Sequence, residues 1–127
     1  MTAYTVDTDP RRRMLHIVMR GYWDQKTFDT FAADYEAALH RMKTSGGLAI
    51  ALVDGREFAV QAREISTQFG ELIARNMALL ARHTATVVPA HLNKLQAERA
   101  GGELAARYFT DMEEAQAWLA EMSVKAA

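Results

Sequence analysis

Asp54, Arg56 and Glu57 fall within four consecutive positions of a 127-residue chain. Two carboxylates this close form a general acid–base pair if both face one substrate. The guanidinium between them can clamp an anion or a partner's carboxylate. The run Asp54-Gly55-Arg56-Glu57-Phe58 follows an apolar stretch and precedes an amphipathic one. That order places it as a loop at the carboxyl end of a strand, close to the free N–H groups of a helix start. Phe58 adds an apolar anchor for a contact. The same five residues also describe a solvent-facing turn with Phe58 folded onto the core. A second group, Tyr22, Trp23 and Phe28, has the residue types to line the mouth of an apolar pocket, or to seal the base of a sheet.

Other chemistry finds little support. His16, His40, His83 and His91 include no pair at the helical metal-site spacing of four. His91 draws most attention, because it follows Pro89 near a strand's carboxyl end. The chain has no cysteine, which removes thiolate nucleophiles, thiolate metal sites and disulfides. Neither a Gly-x-Ser-x-Gly elbow nor a phosphate-binding loop is present. The residues therefore call for no metal and no cofactor. A formal net charge of −1 gives no general attraction to nucleic acid or acidic membranes. The one basic run, Arg11-Arg12-Arg13 after Asp9-Pro10, reads as a solvated hairpin turn.

The elements that must position these residues are legible from periodicity. Tyr4–Asp7 and Met14–Arg20 alternate as two strands of a hairpin, with Leu15, Ile17 and Met19 on one face. Asp24 is suited to cap a helix whose stripe is Phe28, Phe31, Tyr35, Leu39 and Met42, ended by Gly46-Gly47. Leu48–Val53 is uninterruptedly apolar, as the interior of a sheet requires. A second helix is expected from about Ala62 to Ala81, with Ile65, Phe69, Leu72, Ile73, Met77 and Leu80 facing inward. Thr84–Val88 is a strand. A third helix starts at Pro89 and is anchored by Leu92 and Leu95. Leu104–Phe109 is the last strand, and Thr110 or Asp111 opens the last helix. Seven methionines are present. Six of them (Met14, Met19, Met42, Met77, Met112 and Met122) fall on or near inward faces, giving an interior that adapts to irregular shapes.

The order β-β-α-β-α-β-α-β-α in one domain, residues 1–127, predicts a mostly parallel five-stranded sheet with one antiparallel edge strand and about four helices. Half of the residues are hydrophobic, enough for a core without staples. The start of the chain shows no signal core, and no apolar run is long enough to span a bilayer. A cytoplasmic protein with no integral membrane association is expected.

Three features resemble the SpoIIAA-like (STAS-type) family and its βα superhelix: Gly21-Tyr22-Trp23-Asp24, the buried strand ending at Asp54, and Arg107-Tyr108-Phe109-Thr110-Asp111 followed by Glu113, Glu114, Ala115 and Trp118-Leu119. The anti-sigma-antagonist branch of that family has a phosphorylatable serine or threonine after the aspartate. Here Gly55 and Arg56 stand there, so the resemblance carries no phosphorylation switch at this point. It implies a non-catalytic protein-interaction or regulatory module, with a protein partner or a second copy of the chain. The related lipid-carrier fold implies an alternative, a carrier or sensor of an apolar small molecule held between sheet and helices.

Overall fold

The computed structural model describes residues 2–89 and 106–126. Tyr4–Asp9 (β1) and Met14–Gly21 (β2) form the expected antiparallel hairpin, with Val6 opposite Ile17 and Tyr4 opposite Met19. Ile50–Phe58 (β3), His83–Val87 (β4) and Ala106–Phe109 (β5) then add in parallel. Among the described residues the five strands make one sheet in the order β1-β2-β3-β4-β5. Each parallel strand lies beside the one before it.

The first crossover helix, Gln25–Thr44 (α1), is held at both ends. Asp24 accepts a hydrogen bond from the Thr27 N–H at 2.9 Å. At the other end the Gly47 N–H bonds the Met42 carbonyl at 2.7 Å, with Gly46 at φ +98°. This is the left-handed stop for which glycine is suited. Phe28, Phe31, Tyr35, Leu39 and Met42 are all buried, as their spacing predicts.

The second helix, Arg63–Arg75 (α2), ends six residues before the expected Ala81. Asn76 stops it. Its buried side-chain amide donates to the Leu72 carbonyl at 2.9 Å and to the Glu36 carboxylate of α1 at 2.8 Å. A short 3-10 turn, Met77–Leu79, follows, and Met77 is exposed rather than inward-facing.

The last helix, Met112–Ala126 (α3), begins where Asp111 accepts from the Glu113 N–H at 2.8 Å. Three α-helices are thus described. The helix expected from Pro89 onward, together with Leu92, Leu95 and His91, lies outside the described residues.

The sheet has two unlike faces. Leu15, Ile17 and Ala51 point towards α1 and α2 and join one core with Trp23, Phe28, Phe31, Leu39, Ile65 and Leu72. Ile50, Leu52, Ala85, Val87 and Phe109 point the other way, onto Ala115 and Leu119 of α3. Strands buried on both faces lose the alternating pattern, which is why Leu48–Val53 reads as continuously apolar.

Candidate functional site

The run Asp54–Phe58 is not a loop. It forms the last five residues of β3, paired to β2 as Arg20 opposite Glu57 and Gly21 opposite Phe58. The register shifts between Val18 and Arg20, so β3 carries one residue more than its partner there. Such a bulge breaks the two-residue period and re-aims the side chains beyond it. A sequence pattern that relies on that period reads the segment as a turn.

The bulge sorts the five residues into two environments. Arg56 donates twice to Asp54, Nε to Oδ1 at 3.0 Å and Nη2 to Oδ2 at 2.9 Å. Those hydrogen bonds, led by the guanidinium's, hold the Asp54 carboxyl below the usual carboxylate range. Glu57 pairs with Arg20 at 3.1 Å. The two carboxylates therefore each have a cation of their own and do not converge as an acid–base pair. Arg56, a candidate clamp for an anion or a partner's carboxylate, meets Asp54.

Gly55 and Phe58 face the helices instead. A Cβ on Gly55 would stand 3.2 Å from the Val87 carbonyl oxygen. This position is tight for any side chain. Phe58 lies against Trp23 and Phe69, with ring centroids 5.0 and 5.9 Å away.

Trp23 is at the centre of an aromatic cluster. It is 2% exposed and touches Tyr4, Phe31, Phe58 and Phe69. Its indole N–H donates to the Arg20 carbonyl at 2.8 Å, and its backbone N–H to the Gln61 side chain at 2.8 Å. Phe28 is buried beside it against Phe69, and Tyr22 is exposed. Trp23 and Phe28 thus serve as core, the sheet-sealing alternative for these aromatics.

Next to this cluster, between the sheet and α2, lies a cavity of about 290 Å³. Ile17, Val53, Thr86 and Tyr108 form one row of its floor, in register across four strands. Phe31, Phe58, Phe69, Leu72 and Ile73 make its walls, and Gly55 and Gly70 leave it room. Trp23, Phe28 and Tyr22 are not among its lining residues; Trp23 and Phe28 touch rings that are, namely Phe31, Phe58 and Phe69.

The sequence reading missed Thr84, Thr86 and Tyr35 as lining residues. The signal was the alternation Thr84-Ala85-Thr86-Val87. Ala85 and Val87 are fully buried against α3, so the threonines must face the other way. Burial pushes the Tyr35 hydroxyl up to about 12.

No family model matches the sequence, and no curated protein matches it significantly. A crystal structure does match: an uncharacterised DUF3478-family protein from Shewanella loihica PV-4, described as having a SpoIIAA-like fold. The match has a TM-score of 0.72 and covers 94% of this chain and 95% of that one, at 16% identity.

The fold is SpoIIAA-like.

The resemblance carried by Gly21–Asp24, Asp54 and Arg107–Asp111 therefore points to the right architecture, including its antiparallel edge strand. In this SpoIIAA-like fold no described helix is long and apolar enough to cross a membrane. Among the described residues no group of three or more His, Cys, Asp or Glu could hold a metal ion.

Proposed function

We propose that this chain is a non-catalytic SpoIIAA-like module, a single domain over residues 1–127, that binds a small apolar molecule between its sheet and α2. The cavity carries this reading. Its volume is about 290 Å³ and its walls are mainly aromatic and aliphatic, close to the size and character of small-molecule sites. A cavity lined this way favours apolar occupants, because the lining gains contacts it otherwise lacks. Gly55 and Phe58 are the residues of the Asp54–Phe58 run that would touch the ligand. Asp54, Arg56 and Glu57 fix the strand end behind them. The absence of cysteine suits a reducing cytoplasm.

Native mass spectrometry of protein purified from cells tests this. A bound species that leaves under harsher activation is expected. A bare-chain mass, combined with no thermal stabilisation by any apolar probe, would overturn the reading.

A second reading, a protein-interaction module or homodimer, draws on Tyr22 and Val60. Both are exposed, at 66% and 54%. They follow Gly21 and lie just beyond Phe58, residues that are paired at the same sheet end. Sedimentation of the wild type and of Tyr22→Ser/Val60→Ser separates a dimer held by this patch from a monomer.

A further inference from the structure

The lining of the cavity narrows what it can take. Among the described residues none of its side chains is charged. Among the described residues its polar side chains are hydroxyls and one amide. That amide, Gln61, is already used: it accepts from the Trp23 N–H and donates to the Gly21 and Ala59 carbonyls.

Thr84 and Thr86 differ. Neither hydroxyl has a hydrogen-bond partner among the described residues. No buried side-chain N or O atom is without one either, so both hydroxyls reach open space. They share one face of β4, two positions apart, roughly 7 Å along the strand. Tyr35, the buried ring on the α1 side, keeps its proton through the neutral range. The site thus holds hydrogen-bonding groups without charge inside an apolar wall.

Resting on the apolar-ligand reading above, we infer that the ligand is an uncharged amphiphile, an alcohol, ketone or amide, whose one polar group meets Thr84 and Thr86. The described lining disfavours fatty acids and phosphorylated lipids. An ionised group moved from water into this lining would lose its hydration with no cation among the described residues to replace it. The volume sets the size. An apolar cavity of about 150 Å³ holds one benzene, so about 290 Å³ holds a two-ring or comparable aliphatic body.

The naphthalene series tests this on the whole protein, with titrations followed by NMR at the Thr84 and Thr86 amides. Naphthol and naphthamide are expected to bind at least about tenfold more tightly than naphthoate at neutral pH. Naphthoate should catch up with naphthamide only once acid has protonated it. Thr84→Val with Thr86→Val keeps the side-chain shape and should weaken naphthol about three- to tenfold, leaving unsubstituted naphthalene unchanged. Equal binding of naphthoate and naphthamide at neutral pH would overturn the inference while leaving the apolar-ligand reading intact. So would naphthol affinity that ignores the double substitution. If no member of the series binds, the inference falls, and the apolar-ligand reading falls with it when native mass spectrometry also gives the bare chain and no other apolar probe stabilises the fold.

Discussion

Arg56 grips Asp54 from two positions along the same strand, with both guanidinium bonds at 3.0 Å or less. The Asp54 side chain is only 14% exposed and Arg56 is half exposed, so the cation covers the acid rather than displaying it. Asp54 titrates below the ordinary range because of those bonds. A carboxyl depressed in the folded state adds stability that is present above its unfolded value of about 3.9 and is lost as pH falls through the folded value. Asp54→Asn should therefore cost about 0.5–1 kcal/mol at neutral pH. The cost should vanish in acid, once wild-type Asp54 is protonated too. Urea unfolding of both proteins across that pH range measures the difference.

Trp23 is expected to matter most to stability. Trp23→Ala removes a ring packed against four others and should cost about 3–5 kcal/mol. Trp23→Phe keeps much of that packing but deprives the Arg20 carbonyl of its donor, a loss of about 1–3 kcal/mol. Denaturant midpoints at constant slope rank the two.

Asn76 ties the end of α2 to α1. Asn76→Ala strips a donor from both the Leu72 carbonyl and the Glu36 carboxylate. About 1–2 kcal/mol of stability should be lost. Glu36 sits below its usual range, first through Arg75 and then through Asn76. Its titration, read by NMR, should move upward in the variant and stay below the unperturbed value, because Arg75 remains.

Gly70 lies inside α2 and on the cavity wall, and a Cβ there meets nothing within 4 Å. Gly70→Ala should stabilise the fold by about 0.5–1 kcal/mol through the helix backbone alone. The added methyl narrows the cavity, so probe affinity should fall as the melting temperature rises. Calorimetry and thermal unfolding on one sample reveal whether the two move in opposite directions.

What the sequence shows and what it hides follow from the range of each interaction. α1 is legible at both ends because its cap and stop, Asp24 and Gly46-Gly47, act within a few residues. The core of β3 is legible because burial on both faces leaves no polar position. The end of α2 is not: Asn76 becomes a stop only when Glu36, forty positions earlier, lies beside it. The bulge that turns Asp54–Phe58 into strand is equally hidden, since it exists only as a mismatch with β2. Of the Asp54–Phe58 run, Gly55 and Phe58 line the cavity, which their residue types alone do not reveal. The partners of Asp54, Arg56 and Glu57 came from folding. The cavity itself has no local signature beyond two threonines alternating with Ala85 and Val87.

The strands stand side by side in the order in which a ribosome makes them. Each new βα unit meets a preceding edge that is already in place, so the sheet can lengthen outward from its N-terminal hairpin during synthesis. Among the described helices α3 alone packs on the opposite side, against β3, β4 and β5. It also emerges after the five strands. A nascent chain stalled before Met112 would lack Ala115 and Leu119, the helix residues that cover Ile50, Leu52, Ala85 and Val87 among the described residues, and would offer that face to chaperones.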